Sequence, residues 1–152
     1  RVMDLIIQKS VELGAINFSP VYTSRSQYKD VDKKIKHWEK IIIHSSEQSG
    51  RSELMHLDMP LTLNEFMENQ NFPPGYLLHQ NGKEFELDDF HQNNISLFIG
   101  PEGGFEENEM RMFDTNKWKI KKISENILRT ETACISALAL VNNYESLSRH
   151  SI

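Results

Sequence analysis

The sequence predicts an α/β domain, because helix-like and strand-like patterns alternate along it. The clearest strand, residues 95–99, has β-branched or large apolar side chains at four of its five positions. Residues 117–123 alternate charged and apolar side chains, which suits a half-exposed strand with its lysines in solvent. A last helix over 131–144 carries Ala, Leu and Val on several sides, as expected if a partner packs against it.

The first third of the chain predicts a helix, a strand and a second helix. Apolar residues recur at helical spacing over residues 3–11, and Gly14 stands where a left-handed residue would end that helix. Residues 16–20 follow as a short strand. Apolar positions return at helical spacing over 31–48, and Gly50 ends this second helix.

The middle of the chain gives weaker signals. Residues 61–67 suit a short helix, and residues 69–75, which contain two prolines, suit a loop. Residues 76–79 have the apolar character of a buried strand. The Asn-Gly pair at 81–82 then predicts a hairpin turn into a further strand over 84–87.

Length and composition indicate one domain that folds without disulfides. The chain has 152 residues, 38% of them hydrophobic and 26% charged, which is enough to bury a core. No apolar run approaches the roughly 18 residues of a membrane span, and no secretory leader opens the sequence. Cys134 is the only cysteine, which favours the reducing environment of the cytoplasm.

The charge and the histidines narrow the possible partners. The formal net charge of −5 argues against nucleic-acid binding by the surface as a whole, so RNA binding would need a local basic patch or another domain. The six histidines show no metal-ligand spacing, and we expect no metal site. Cys134 lies in a mostly apolar helix and is interpreted as a core residue rather than a nucleophile.

The strongest chemical signal is the glycine-rich turn that follows the strand at 95–99. Residues 100–105 have the sequence Gly-Pro-Glu-Gly-Gly-Phe. Glycines allow positive φ angles and let a ligand approach the backbone closely. In an open α/β sheet, ligands lie beyond the carboxyl ends of the strands. The alternative is a tight turn that binds nothing, and the glycines alone do not decide between the two.

The same segment lacks the features of a phosphate-binding loop. No Gly-Lys-Ser/Thr follows it, and its glycine spacing differs from the dinucleotide-binding fingerprint. Glu106, Glu107 and Glu109 stand directly after the loop and would repel a phosphate. These carboxylates favour a ligand with a neutral or positive centre, such as the sulfonium of S-adenosylmethionine.

Three further positions carry arginines beside helix or strand ends. Arg129 precedes the last helix within Ile-Leu-Arg-Thr-Glu-Thr-Ala, where Thr130 can cap the helix and Glu131 lies in its first turn. The planar guanidinium of Arg129 suits a phosphate or a base edge, and the alternative is an ion pair with Glu131 that only fixes the turn. Arg25 follows the first strand and Arg51 the second helix, positions that often carry function but also suit ordinary solvated loops.

Taken together and in this order, these segments resemble the RsmE family of small-subunit ribosomal RNA uridine-N3 methyltransferases, in the SPOUT superfamily. The resembling stretches are residues 12–14, 24–26, 47–51, 99–105 and 127–133. The pair formed by the last two is highly specific when both occur. One departure is Ile123-Ser124-Glu125, where the family usually has Leu-Gly and often a basic residue.

The resemblance implies an α/β fold with a mainly parallel sheet, helices on both faces and a C-terminal trefoil knot. Such a knot is an exception to the usual rules of chain topology and does not follow from periodicity. The resemblance also implies one SPOUT-like methyltransferase domain over residues 1–152, without the N-terminal PUA-like RNA-binding domain of the family. Family members dimerise through helices beside the knot, so we expect a homodimer.

The resemblance further implies a cofactor, a substrate and a set of site residues. The cofactor is S-adenosylmethionine, bound in the knot by backbone groups of three loops. The residues expected to bind it are Leu78, Gly100, Glu102, Gly103, Gly104, Ile123, Ile127 and Leu128. The substrate is a uridine of 16S ribosomal RNA in the small ribosomal subunit, methylated at N3 by direct displacement without a metal.

The arginines acquire expected roles from the same resemblance. Arg129 is expected to stabilise the developing uridine anion or to hold its phosphate, and Glu131 to orient Arg129. Arg25 and Arg51 are expected to contact RNA. Two other functions stay open: a knotted RNA- or ribosome-binding module without catalysis, if Ser124 prevents cofactor binding, and a nucleotide-binding hydrolase, which the missing phosphate cradle disfavours.

Overall fold

The computed structural model describes residues 2–26, 30–69 and 73–150, the last six of these by their backbone only, and it alternates helices with strands. The helices are α1 (Val2–Glu12), α2 (Val31–Ser49), α3 (Leu63–Glu68), α4 (Glu107–Thr115) and α5 (Thr130–His150). The strands are β1 (Asn17–Phe18), β2 (Val21–Tyr22), β3 (His56–Leu57), β4 (Leu61–Thr62), β5 (Tyr76–Glu84), β6 (Leu97–Ile99) and β7 (Lys119–Lys122). A 3-10 turn, Leu87–Phe90, follows β5.

The strand pairs in the described ranges are parallel. β1 pairs with β3 and β2 with β4, while β5 lies between β6 and β7 in a three-stranded sheet. This arrangement confirms the predicted α/β class and the mainly parallel pairing. The trefoil knot stays a prediction.

Two hydrophobic clusters hold the helices in place. One joins α1 to α2 through Ile7, Val11, Trp38, Ile42 and Met55. The other joins α3 and α4 to the three-stranded sheet through Leu63, Phe66, Leu77, Phe98, Phe113 and Trp118. At its centre the ring of Phe98 lies 4.8 Å from that of Phe113 and 5.5 Å from that of Phe66. This aromatic cluster fixes the strand that leads into the glycine-rich turn.

Aromatic side chains that reach α5 cover the other face of the sheet. Successive residues of a strand face opposite sides, so Tyr76 points away from the cluster that contains Leu77. The ring of Tyr76 lies 5.3 Å from Phe85, which stacks on Phe90 at 5.4 Å. Phe90 in turn lies 5.0 Å from Tyr144 of α5. Helices therefore pack on both faces of this sheet.

Several local predictions are confirmed. The first two helices are α1 and α2, and the backbone at Gly14 and Gly50 is left-handed, with φ of 85° and 75°. The short helix predicted at 61–67 is α3, which begins after a capping box formed by Thr62 and Glu65. Cys134 is buried in α5, and burial raises the pKa of its thiol, which confirms its assignment to the core.

The hairpin predicted at 81–82 is wrong. β5 leaves β7 after Leu78 and rejoins it at Lys83, so both residues are partners of Lys121. The chain thus returns in the same direction instead of reversing. At Gly82 the backbones approach so closely that a Cβ would lie 2.6 Å from the carbonyl carbon of Ile120. The glycine serves this close approach rather than a hairpin turn.

Other differences concern short strands. The strand predicted at 16–20 is divided into β1 and β2, and their partners β3 and β4 were not predicted. Strands of two residues are too short to show an alternating pattern. Of the loop predicted at 69–75, residues 70–72 lie outside the described residues. In the described part of the chain, no helix is both long and apolar enough to cross a membrane.

Candidate active site

The three loops expected to bind the cofactor leave adjacent strands at one edge of the parallel sheet. In β5, Leu78 pairs with Ile99 of β6 and with Lys121 of β7. Gly100 comes directly after β6, and Ile123 comes directly after β7. The carboxyl ends of β6 and β7 therefore meet the point where the first paired part of β5 ends, at Leu78. Ligands of open α/β sheets bind in a crevice at such an edge.

The glycine-rich turn is closed on itself. The backbone N–H of Gly104 donates to the carbonyl oxygen of Pro101 at 2.9 Å. A Cβ on Gly100 would lie only 2.5 Å from the aromatic ring of Phe105, which packs against the aromatic cluster. Phe105 thus fills the space that a side chain at position 100 would need, and the backbone of Gly100 stays accessible from the other side.

The loop that carries Arg25 is fastened to the glycine-rich turn. Glu109 is buried, and its carboxylate accepts hydrogen bonds from the backbone N–H and the hydroxyl of Ser24 at 3.0 and 3.1 Å. The same carboxylate accepts the backbone N–H of Glu106 at 3.0 Å. Arg25 Nη1 donates to the carbonyl oxygen of Gly103 at 2.8 Å. Arg25 therefore lies at the turn, and its contact with RNA stays a prediction.

The two specific motifs meet at the start of α5. The hydroxyl of Thr130 donates to the carbonyl oxygen of Gly100 at 3.4 Å. Thr130 is the first residue of α5. Its hydroxyl, which had been predicted to cap the helix, joins the two motifs instead. Arg129 is exposed, and among the described side chains it forms no ion pair with Glu131.

Glu131 has an unsatisfied oxygen. Its Oε2 atom is buried and has no hydrogen-bond partner among the described residues. A buried carboxylate oxygen without a donor is costly, because it has lost its water and gained nothing in exchange. Two residues away stands Arg129, whose guanidinium also has no partner in this part of the chain. The exposed guanidinium of Arg129 is thus available to a ligand, whereas the buried oxygen of Glu131 lacks a donor.

The third loop, after β7, contains the departure from the family pattern. The hydroxyl of Ser124 accepts the backbone N–H of Asn126 at 3.1 Å, so the serine closes its own turn. Ile127 follows with 81% of its surface exposed, while Leu128 is half-buried. An exposed isoleucine beside a crevice is suited to contact an apolar part of a ligand.

A buried ion pair lies behind the crevice. Lys121 Nζ is 2.8 Å from Asp89 Oδ2, and the same oxygen accepts the backbone N–H of Glu86 at 2.7 Å. Burial raises the pKa of Asp89, but the hydrogen bonds from Glu86 and Lys121 outweigh it, so the pKa lies below its ordinary value. The lysines of β7 had been interpreted as solvated. For Lys121 this interpretation is wrong, because its side chain is buried and pairs with Asp89.

The side chain of Arg51 lies at the end of α1. In the sequence, Arg51 is far from the glycine-rich turn. Its Nη1 atom donates to the carbonyl oxygens of Val11 and Ala15 at 3.0 and 2.9 Å. The last carbonyls of a helix lack partners within the helix, and a cation there also interacts favourably with the negative end of the helix dipole. The structure gives Arg51 a capping role that the sequence did not predict, and its contact with RNA stays a prediction.

A large cavity lies beside the crevice. Its volume is about 1530 Å³, above the roughly 300–1,000 Å³ of most small-molecule sites. Gly100, Glu102 and Thr130 line it, together with parts of α1 and residues 92–99, whereas Leu78 and Ile123 do not. The cavity is therefore adjacent to the crevice, not identical with it, and it leaves room for more than a cofactor.

The side chains at the crevice fit S-adenosylmethionine better than a nucleotide. Residues 100–109 carry four carboxylates and neither lysine nor arginine, which suits a positive sulfonium and opposes a phosphate. Gly100 has no side chain that would stand between a ligand and the backbone of the turn. Among the described residues, no group of three or more His, Cys, Asp or Glu side chains is arranged to hold a metal ion.

Comparisons with known proteins point to RNA methylation. A family model described as an RNA methyltransferase domain matches residues 1–142. A ribosomal RNA small subunit methyltransferase E of Mesomycoplasma hyopneumoniae is 34% identical over 91% of this chain and 63% of its own length. The protein of the same name from Aquifex aeolicus is 27% identical over 95% of this chain and 64% of its own. The chain spans less than two thirds of these relatives.

Solved structures agree with the fold and add the cofactor. A methyltransferase of Legionella pneumophila in complex with S-adenosylmethionine is 31% identical, with a TM-score of 0.86 over 94% of this chain and 61% of its own. A ribosomal RNA small subunit methyltransferase E of Neisseria gonorrhoeae, bound to the same cofactor, is 28% identical, with a TM-score of 0.82 over 93% of this chain and 60% of its own.

Proposed function

The chain belongs to the RsmE family of RNA methyltransferase domains, and we propose that it methylates N3 of a uridine in small-subunit (16S) ribosomal RNA, with S-adenosylmethionine as the methyl donor. The observation that carries the proposal is the hydrogen bond between Thr130 and Gly100. It brings the two motifs that are specific to the family together at the carboxyl ends of the strands.

The proposed cofactor site follows the three loops of the crevice. Its residues are Leu78, Gly100, Glu102, Gly103, Gly104, Ile123, Ile127 and Leu128. Their support is the common strand edge, the carboxylate-rich turn and the exposed side chain of Ile127. S-adenosylmethionine supplies an electrophilic methyl group when it is bound there.

The protein must orient the uridine and favour the loss of its N3 proton. Arg129 has an exposed guanidinium that no described side chain uses, and it stabilises the negative charge that develops on the base. Glu131, in the first turn of α5, orients Arg129 once the substrate is present. Arg25, held at the glycine-rich turn by Gly103, is close enough to that turn to contact the RNA backbone.

The proposal includes one methyltransferase domain over residues 1–152 that works as a homodimer in the cytoplasm. Exposed leucines on two helices that pack together support the dimer: Leu5 on α1 and Leu140 on α5. Apolar side chains exposed on adjacent helices are typical of subunit interfaces. Light scattering of the purified protein gives its mass in solution and tests this part of the proposal.

Calorimetric titration with S-adenosylmethionine and, separately, with ATP tests the central claim. We expect saturable binding of S-adenosylmethionine, none of ATP, and methyl transfer to small-subunit ribosomal RNA that maps to N3 of one uridine. A folded dimer that does not bind S-adenosylmethionine would instead support a non-catalytic RNA- or ribosome-binding module. The observation behind that second candidate is Ser124, which stands where the family usually has glycine.

A further inference from the structure

Helix α2 presents a row of exposed basic side chains. Lys33, Lys36 and Lys40 follow one another at intervals of three and four residues, which places them on one helical face. His37 and His44 lie on the same face and are also exposed. From Lys33 to Lys40 the row covers about 10 Å of the helix axis.

The opposite face of α2 fixes the direction of this row. Trp38 and Ile42 are buried against α1, and only 3% of the surface of each is exposed. Burial of these two large apolar side chains stabilises one orientation of the helix. The basic row therefore faces solvent as a rigid surface.

The three lysines have no carboxylate partner within the described ranges. Ion pairs at helical or short spacing occur elsewhere in the chain: Lys9–Glu12, Arg111–Glu107 and Lys122–Glu125. On α2, Asp32 and Glu39 lie near the row but form no ion pair with it. His37 on the same face pairs with Asp4 of α1 at 2.8 Å, whereas the three lysines stay uncompensated. In a chain with a net charge of −5, three such lysines are suited to an external anion.

The row follows the loop that contacts the glycine-rich turn. Arg25 contacts Gly103 of that turn, and Lys33 stands eight residues later in α2. Eight residues span at most about 28 Å, so Lys33 lies within about 35 Å of the turn. An RNA strand that enters the crevice and continues for several nucleotides can therefore reach the row.

We propose that Lys33, Lys36 and Lys40 bind the phosphate backbone of the RNA substrate outside the crevice. This inference rests on the proposed function, which supplies the polyanion. The lysines act as point charges along the helix, so they position the RNA without reading its sequence. They also account for RNA binding by a chain whose overall charge is negative.

The test compares two triple variants that lose the same charge. One is Lys33→Gln, Lys36→Gln and Lys40→Gln. The control is Arg111→Gln on α4, Lys117→Gln in the turn after α4 and Lys119→Gln at the start of β7, where the side chains are also exposed. Binding to labelled small-subunit ribosomal RNA is measured by filter retention at several salt concentrations, and binding of S-adenosylmethionine by calorimetry.

The α2 variant is expected to bind RNA roughly tenfold or more weakly at the lowest salt concentration. The slope of log affinity against log salt should fall by about three, close to one for each lost phosphate contact. The control variant should keep most of its affinity and slope. Both should bind S-adenosylmethionine like the unaltered chain and unfold at similar temperatures, because the substituted side chains are exposed.

Three results overturn the inference. Equal RNA binding by the two variants shows that only net charge matters. Absence of RNA binding by the unaltered chain shows that RNA is not the partner of the row. A loss of binding to phosphatidylserine vesicles, with RNA binding intact, assigns the row to a lipid surface. Failure of the proposed function appears differently, as an unaltered chain that does not bind S-adenosylmethionine or does not transfer methyl groups.

Discussion

The corner between α1 and α2 and the crevice at the ends of β5, β6 and β7 each carry an arginine from a family motif, and they use it differently. Arg51 donates two hydrogen bonds to carbonyls at the end of α1. Arg129 is exposed, with no ion pair in the described part of the chain. One guanidinium stabilises the fold, whereas the other is available to a ligand.

This difference teaches how to separate structural from functional arginines. Both residues stand beside helix ends in specific motifs, so their types and positions do not distinguish them. The distinction lies in the acceptors around them. Two carbonyl oxygens at and just beyond the end of α1 accept hydrogen bonds from Arg51, while the carbonyl oxygen of Gly100 at the start of α5 is bonded to Thr130. Functional assignment therefore needs the hydrogen-bond partners, which depend on the fold.

The largest effect is expected for Arg129→Ala. Removal of a donor that stabilises developing charge lowers methyl transfer by about 100-fold or more. The free energy of unfolding should change by less than about 0.5 kcal/mol, because the side chain is exposed. Transfer of labelled methyl groups and thermal unfolding measure the two quantities. Near-normal turnover would remove Arg129 from the mechanism.

Arg51→Ala should show the reverse pattern. Loss of two hydrogen bonds from a charged donor lowers the free energy of unfolding by about 2 kcal/mol. Methyl transfer per folded molecule should stay unchanged, and Arg51→Lys should recover part of the stability through its charge near the end of α1. Denaturant titration of the three proteins measures the difference. Intact stability with weakened RNA binding would instead favour the expected RNA contact of Arg51.

A smaller effect should separate two glycines within the turn of the crevice. At Gly100 a Cβ would meet the ring of Phe105 at 2.5 Å, whereas at Gly103 the nearest atom is Cβ of Arg25 at 3.3 Å. Gly100→Ala should therefore cost about 1.5 kcal/mol of stability and weaken S-adenosylmethionine binding. Gly103→Ala should cost less than about 1 kcal/mol. Equal losses in the two variants would contradict the geometry of the turn.

The sequence predicted those parts of both regions that depend on neighbours along the chain. The two helices of the corner and their end at Gly50 follow from helical spacing and one left-handed glycine. The glycine-rich turn follows a strand whose apolar pattern is unmistakable. These features need no knowledge of the tertiary fold.

The contacts that complete both regions join distant parts of the chain. Ser24 and Glu109 are 85 residues apart, and no local sequence pattern predicts the hydrogen bonds between them. The Asn-Gly pair at 81–82 is a strong hairpin signal, yet the parallel pairing of β5 with β7 overrides it. Lys121 fits the alternating pattern of a strand, but the burial of its side chain depends on Asp89, which lies in another element.

The smallest effect concerns pH and again separates the crevice from the corner. The pKa of Asp89 is lowered in the folded protein, since the hydrogen bonds from Glu86 and Lys121 outweigh the effect of burial. A lowered pKa contributes stability above the unfolded value of about 3.9, and that contribution is lost as the pH falls through the folded value. Arg51→Ala leaves the Asp89 carboxylate and its partners in place, so that variant should keep the same loss of stability in acid.

The stability difference between the unaltered chain and Asp89→Asn should therefore shrink as the pH falls below about 4. Asp88→Asn is the matched control, because the Asp88 side chain is 92% exposed. Its effect on the free energy of unfolding should be small, within about 0.5 kcal/mol, as for most surface substitutions. Urea titrations at several pH values measure both differences. A pH-independent difference for Asp89→Asn would mean that its carboxylate is not held ionised by Lys121, and that β7 is fixed beside the crevice mainly by its apolar contacts.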